Sequence, residues 1–141
     1  MDALSKLIKN SSAAVIRKRV TERVLQTVHV ETEKRIFDQG KAAKNQRIGT
    51  YSKAYQKTRR RRGYQETRKV VLQAENDMRN DYKFLVLGDN SYGSGFTFDV
   101  NYNKSKWVEK TYKKEIFELT DSEDKLISKL IDKEIEKLLN V

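Results

Sequence analysis

This chain of 141 residues contains no cysteine and no proline. Without cysteine, disulfide bonds and thiolate metal sites are excluded, and with them a secreted mini-protein held together by disulfides. Without proline, helices can run long without built-in breaks, and proline-rich linkers are excluded. Apolar residues make up only 37% of the chain and charged residues 35%. We therefore expect a modest core, in a small elongated domain or in the subunit of an oligomer.

Long apolar segments are also missing. No apolar run approaches the ~20 residues that a membrane-spanning helix needs, and residues 1–6 show no signal-peptide apolar stretch. We expect a protein outside the membrane that stays where it is made or is packed into a particle assembled there. The predicted organisation is one domain over residues 1–141, with an N-terminal helical region (1–40), a basic loop and helix (41–70), and a hairpin with a C-terminal helix (71–141).

Residues suited to catalysis are scarce. The one histidine, His29, lies in a valine-rich stretch, where packing is its expected role. Asp77 and Asp81 are four residues apart but have no histidine or third ligand beside them. The glycine-rich residues 88–95 lack the Lys-Ser/Thr ending of a phosphate-binding loop. We therefore predict that the protein is not an enzyme and has no cofactor or metal site.

Positive charge is abundant but local. The formal net charge is +10, and residues 41–70, with eleven Lys or Arg and one acid, Glu66, have a net charge of +10 by themselves. Residues 1–40 hold eight bases and five acids, a net +3, whereas residues 71–141 hold eleven bases and fourteen acids, a net −3. Such a local field faces nucleic acid, an acidic protein surface or only water.

A short helix is predicted inside this basic segment. Ser52 suits the N-cap position, and Gly63 is placed to stop the helix. Tyr51, Tyr55 and Arg59 then share one face, whereas the next three arginines fan around the others. The tyrosines suit base stacking, and the cations suit phosphates or carboxylates. The candidate docking or DNA-facing residues are Lys53, Lys57, Arg59, Arg60, Arg61, Arg62 and Tyr64.

Helices are predicted on both sides of the middle of the chain. Apolar residues three or four apart predict a helical region over residues 3–38, followed by Gly40 as a C-cap glycine. A second, short helix is predicted over residues 103–113. Thr120 and Glu123 form a capping box at the start of the last helix, whose apolar stripe is expected to pack on the sheet.

A β-hairpin is predicted between these helices. Residues 82–87 and 96–102 are the two strands, the second of them alternating apolar and polar side chains. Residues 88–95 then form a long tip, and residues 116–119 a further short strand. The predicted fold class is α+β, a small antiparallel sheet packed with a C-terminal amphipathic helix and a long N-terminal helical region. The candidate contact residues of the tip are Asp89, Asn90, Ser91, Tyr92, Gly93 and Ser94.

The order of these features resembles the neck and tail-completion proteins of tailed bacteriophages and the related virion-morphogenesis proteins. The resemblance covers roughly residues 48–139 and depends on the order of short motifs. They are a serine-started basic helix (52–63), a turn before a strand (72–78), a helix with an aromatic and an acid (106–109) and an Ile-Phe-x-Leu-Thr element (116–120). Where the family has Thr-Gly in the turn, this chain has Glu75-Asn76; asparagine also accepts a left-handed conformation.

The resemblance implies a structural virion protein that forms a homo-oligomeric ring at the head–tail junction. Such a ring joins the portal or its adaptor to tail-tube or tail-terminator proteins, helps to retain packaged DNA, and assembles in the host bacterial cytoplasm. Neighbouring subunits meet through different surfaces, and the hairpin tip would reach an adjacent subunit or ring.

Two roles for the basic segment follow within this hypothesis. It docks on an acidic neighbouring surface, or it touches DNA in the channel. Docking is favoured, because many phosphate contacts would hold DNA too tightly for it to slide. The alternative hypothesis is a small basic nucleic-acid-binding protein that uses the arginine run 59–62.

Overall fold

The computed structural model describes residues 13–72, 77–88 and 91–139. These residues form five α-helices and one two-stranded antiparallel sheet, so the predicted α+β class is confirmed. In chain order the elements are α1 (Ala13–Glu33), a π-helical turn (Lys34–Asp38), α2 (Lys53–Arg61), α3 (Asp77–Asp81), β1 (Tyr82–Gly88), β2 (Ser91–Phe96), α4 (Asp99–Tyr112) and α5 (Asp121–Leu139).

The first helix forms along an apolar stripe with four-residue spacing. Val20, Val24 and Val28 are buried, and Thr32 is buried one turn later. The predicted helical region is confirmed over residues 13–38, and its residues 3–12 lie outside the described part of the chain.

Gly40 ends this helical region in a left-handed conformation. Its φ of +64° is accessible to glycine without steric cost. A Cβ atom at this position would also lie 2.4 Å from the carbonyl oxygen of Val70, too close for any side chain. The chain can therefore turn here and pack directly on the backbone of a distant segment.

The C-terminal helix packs against α1, which corrects the prediction that it packs on the sheet. Arg23 pairs with Glu134 at 3.1 Å and Arg35 with Glu123 at 2.9 Å, so the two helices run antiparallel. The hairpin has only two strands, and α1 packs on it through His29. α1 therefore contacts both the hairpin and α5.

The hairpin differs from the prediction in its second strand. β1 lies where expected, but residues predicted as a flexible tip form β2, and residues 99–102, predicted as strand, begin α4. Leu85 pairs with Gly93 across the ladder. Cβ atoms at Gly93 and Gly95 would lie 3.2 and 3.3 Å from the Cδ1 atoms of Leu87 and Leu85. The glycines that suggested a loop therefore make room for leucine side chains that lie over the second strand.

Asp81 joins the hairpin to the start of α4. Its carboxylate accepts hydrogen bonds from the backbone N–H groups of Thr97 (3.1 Å) and Phe98 (3.0 Å) and from the side-chain amide of Asn101 (3.0 Å). The Thr97 hydroxyl donates to it as well. Asp81, the last residue of α3, therefore accepts hydrogen bonds from N–H groups at the N-terminus of α4. Burial alone raises the pKa of Asp81, but these hydrogen bonds outweigh it and hold the pKa below its usual value.

A buried arginine connects α1 to the segment before α5. Arg35 donates through Nη1 to the carbonyls of Lys41 (2.9 Å) and Ile116 (3.1 Å), and through Nη2 to that of Glu118 (2.8 Å). Its Nε donates to Glu123 at 2.9 Å. The predicted short strand at residues 116–119 is absent from the described structure, and this segment instead supplies carbonyl acceptors to Arg35.

The predicted capping box at α5 is confirmed. The backbone N–H of Glu123 donates to Thr120 Oγ1 at 3.0 Å, and that of Thr120 donates to Glu123 Oε1 at 3.1 Å. Glu123 thus serves both the helix start and the ion pair with Arg35. The main apolar core lies beside this network and contains Ile36, Phe37, Ala42, Ile48, Val70, Met78, Tyr82, Val108 and Ile116.

Candidate interaction surfaces

The basic helix α2 forms as its sequence predicts. The Ser52 hydroxyl accepts a hydrogen bond from the backbone N–H of Tyr55 at 3.2 Å, which is the expected N-cap. At the other end Arg62 is the C-cap residue, and Gly63 follows with a φ of +78°.

Arg59 is buried inside a cluster of tyrosines. Only 1% of it is exposed, and its guanidinium carbon lies 4.6, 5.8 and 4.6 Å from the ring centres of Tyr51, Tyr55 and Tyr64. Its Nε donates to the carbonyl of Glu66 at 2.8 Å. The docking or DNA-facing role predicted for Arg59 is therefore wrong. Tyr64 is half-buried in the same cluster, so the rings expected to stack on bases hold a cation of their own chain.

Burial of this face leaves most other cations of α2 on one exposed side. At about 100° per residue, Lys53, Lys57, Arg60 and Arg61 lie within about 100° of one another around the axis, on a stripe roughly 12 Å long. All four are exposed, as is Arg62 at the C-cap. Arg60, Arg61 and Arg62 follow one another at about 100° around the axis and are exposed, as the prediction that they fan around the remaining faces expects. We call Lys53, Lys57, Arg60, Arg61 and Arg62 the basic surface.

The basic surface has no internal counter-charge among the described residues. None of the cations of residues 41–70 forms a salt bridge with a described acid. The one acid of the segment, Glu66, accepts from the backbone N–H groups of Arg68 (3.0 Å) and Lys69 (2.9 Å). Burial opposes ionisation of Glu66, but these bonds and nearby cations hold its pKa below the usual value. The Glu66 carboxylate thus binds backbone N–H groups and forms no salt bridge with the basic surface.

Four of the predicted tip residues lie on a strand. Ser91, Tyr92, Gly93 and Ser94 belong to β2, and Asp89 and Asn90 lie outside the described residues. Tyr92 stacks on Phe84 with ring centres 5.8 Å apart, so its ring stabilises the hairpin itself. The exposed apolar side chains at this end are Val86 and Leu87, 62% and 64% exposed, which we call the hairpin end.

A second exposed apolar region begins just before α4 and was not predicted. Phe98, Val100, Tyr102 and Trp107 are each at least half exposed. Tyr102 is two residues from Val100 and so lies on another face of the helix, and we call Phe98, Val100 and Trp107 the α4 apolar surface. Val100 and Trp107 are seven residues apart and so lie on the same face two turns apart. This spacing is visible in the sequence, but a strand prediction across residues 96–102 hides it.

An acidic segment follows α4. Residues 115–124 contain five acids and no Lys or Arg. Glu123 is buried against Arg35, whereas Glu115, Glu118, Asp121 and Asp124 are exposed. The Glu115 side chain lies close enough to Glu118 to raise the pKa of Glu118 by hydrogen bonding and charge repulsion. We call these four exposed acids the acidic surface.

Ser94, His29 and Glu33 are arranged in the order of a nucleophile, a base and an acid, but the distance between His29 and Glu33 does not support catalysis. His29 Nδ1 lies 2.7 Å from Ser94 Oγ, and Nε2 lies 3.9 Å from Glu33, beyond hydrogen-bond range. Glu33 pairs instead with Arg79 at 3.2 Å. The His29 ring stacks on Tyr82 with centres 5.0 Å apart, the packing role that its position predicts.

Residues 13–72, 77–88 and 91–139 contain no group of three His, Cys, Asp or Glu placed to hold a metal ion. None of the helices within these ranges is long and apolar enough to cross a membrane.

Comparison of the chain with protein-family models, curated proteins and solved structures finds no match. The resemblance to phage neck proteins therefore stays a prediction.

Proposed function

We propose that this protein is a structural virion protein of a tailed bacteriophage that forms a ring at the head–tail junction. In this role it joins the portal or its adaptor to the tail-tube or tail-terminator proteins and helps to retain packaged DNA. Two arguments support the proposal: the order of motifs over residues 48–139, and the surfaces that the fold leaves exposed.

The observation that carries the proposal is the exposure of apolar side chains on two separate elements. Val86 and Leu87 are exposed at the hairpin end, and Phe98 and Trp107, both 64% exposed, on the α4 apolar surface. Aromatic residues are enriched at protein interfaces, and apolar patches on a small chain mark interaction sites. Copies of this chain are the proposed occupants, because a ring contact between unlike surfaces needs two different patches on each subunit.

The hairpin has the dimensions for such a contact. β1 has seven residues, so the hairpin is roughly 20 Å long. Its base is held by Asp81 and by the stacking of His29 on Tyr82, and its far end bears the exposed Val86 and Leu87. A rigid base with an apolar end suits insertion against a neighbouring subunit.

The self-assembly part of the proposal is tested by light scattering and electron microscopy of the purified full-length chain over a range of concentrations. We expect rings, or concentration-dependent oligomers. The double substitution Val100→Ser and Trp107→Ser should weaken association about tenfold or more, because it removes the large apolar side chains of the α4 apolar surface. Asn103→Ser, at an exposed polar position of the same helix, is the matched control. A chain that is monomeric at every concentration, alone and with portal or adaptor protein, contradicts the proposal.

Docking to other virion proteins is tested separately at the hairpin end. Val86→Ser with Leu87→Ser leaves the ladder between β1 and β2 intact, since both side chains are mostly exposed. We expect loss of contact with a neighbouring subunit or with co-expressed portal or tail-tube protein. If both assembly and docking are unchanged, the hairpin end has no role in the ring.

The second candidate function is binding of nucleic acid through the basic surface. The observation in its favour is that these five exposed cations have no salt bridge to a described acid. Binding of random duplex DNA near 150 mM salt, with a steep loss of affinity as salt rises, supports it. A chain that shows no shift at this salt concentration argues against it.

A further inference from the structure

Cations and acids that have no salt-bridge partner are concentrated on two different segments of this chain, α2 and residues 115–124. The basic surface on α2 contains five exposed cations, and the segment 41–70 around it has a net charge of +10. Within the described residues, all salt bridges involve cations outside this segment. Arginine and lysine at this density attract an anionic partner.

The acidic surface has the complementary property. Glu115, Glu118, Asp121 and Asp124 follow one another at intervals of three residues, are all exposed, and have no described cation in a salt bridge. A hydrogen bond with Glu115 and repulsion from its charge raise the pKa of Glu118, and the attraction of Lys106 does not cancel this shift.

We propose that the basic surface of one copy of this chain docks on the acidic surface of a second copy. This inference rests on the proposed self-assembly and names the surfaces that carry it. Guanidinium groups bind carboxylates through paired hydrogen bonds, which a cluster of four acids offers to Arg60, Arg61 and Arg62. The contact joins unlike surfaces. Each subunit therefore uses its basic surface on one neighbour and its acidic surface on the other, which is the arrangement that a closed ring requires.

A second copy fits these observations better than nucleic acid does. Nucleic acid accounts for the cations but leaves the acidic surface without a partner and repels it. A second copy brings the five cations of the basic surface against the four acids of the acidic surface, so both surfaces gain a partner. The position of Arg59 agrees with this assignment, because its tyrosine cluster stabilises α2 and thereby orients the basic surface.

The test is a charge swap in the full-length protein, followed by sedimentation at about 50 mM and about 500 mM salt. The first variant combines Arg60→Glu and Arg61→Glu, and the second combines Glu115→Lys and Glu118→Lys. We expect the self-association of each variant alone to weaken by about tenfold or more. An equimolar mixture of the two variants should associate again, as a complex of one with the other. Lys129→Glu with Lys133→Glu, which makes the same charge change at exposed positions of α5, should associate like the unmodified chain.

Other outcomes separate the inference from the proposed function. If the unmodified chain associates and both swap variants associate like the Lys129/Lys133 control, the inference is wrong and self-assembly stands. If the unmodified chain never associates, either alone or with portal or adaptor protein, both are wrong. If the first variant loses binding to duplex DNA while the second keeps normal self-association, the basic surface serves nucleic acid and the inference is overturned. Circular dichroism melting of every variant verifies that each one folds.

Discussion

The guanidinium carbon of Arg59 lies 4.6 Å from the centre of the Tyr64 ring, across the turn that ends α2. Tyr51 contributes a second ring at the same distance, and the Glu66 carbonyl accepts from Nε at 2.8 Å. A guanidinium is weakly hydrated and stacks well on aromatic faces, which lowers the cost of burying its charge. Arg59 therefore joins the basic helix to the loops on either side of it.

Replacing Arg59 is expected to destabilise the fold, whereas replacing its neighbour is not. Arg59→Gln removes the stacked cation from a site that is 1% exposed, and we expect a loss of about 2 kcal/mol or more in the free energy of unfolding. Arg60→Gln, at an exposed position, should change it by less than about 0.5 kcal/mol. Urea unfolding measures both, and equal midpoints for the two variants would refute the structural role of Arg59.

Removal of the Asp81 charge should weaken the link between the hairpin and α4. Asp81→Asn loses charged acceptors for the donors of Thr97, Phe98 and Asn101, and we expect a cost of about 1–3 kcal/mol. Asp77→Asn, at an exposed position of α3, is the matched control and should be near neutral.

The Asp81 carboxylate should also make the stability of the fold sensitive to acid. Because the folded pKa of Asp81 lies below its ordinary value of 3.8, its contribution to stability is complete above pH 3.8 and is lost as the pH falls through the folded pKa. Stability curves of the unmodified chain and of Asp81→Asn should therefore converge below pH 3.8. A constant difference between the two curves down to the folded pKa would show that Asp81 does not act through its charge.

His29 should produce a separate pH dependence at higher pH. Burial against Tyr82, with some help from Lys83, lowers the pKa of His29, although Glu33 opposes the shift. Since the folded pKa is lower than the ordinary 6.5, stability is full above pH 6.5 and falls as the pH drops through the folded pKa. His29→Phe keeps an aromatic ring and should remove this slope below pH 6.5. As His29 is the one histidine of the chain, a slope that persists in the variant contradicts this assignment.

Breaking the buried ion pair of Arg35 should be costly. Glu123→Gln leaves the guanidinium of Arg35, which is 5% exposed, without its carboxylate, and we expect a loss of about 3 kcal/mol. Asp124→Asn, one residue away and exposed, should cost less than about 1 kcal/mol. Thermal and urea unfolding report the difference, and similar losses in the two variants would show that the pair is not important for stability.

Part of the candidate site was predictable because it depends on local chemistry. Ser52 and Gly63 mark the ends of α2 with a cap and a left-handed glycine, and the basic surface follows from the residues between them. The α4 apolar surface was not predicted, because alternation over residues 96–102 looks like a strand. There, the hydrogen bonds that Asp81 accepts from the backbone N–H groups of Thr97 and Phe98 favour the helix over the local pattern.

Several features of this protein follow from local sequence: the charge segregation, the capped helices, the position of β1 and the α+β class. Each of these depends on residues within a few positions of one another. Long-range packing selects which arginine of the run is buried, where β2 lies and which helix α5 packs against. Those outcomes depend on contacts between distant residues, such as Arg35 with Glu123 and Asp81 with Phe98, whose energies no local pattern contains.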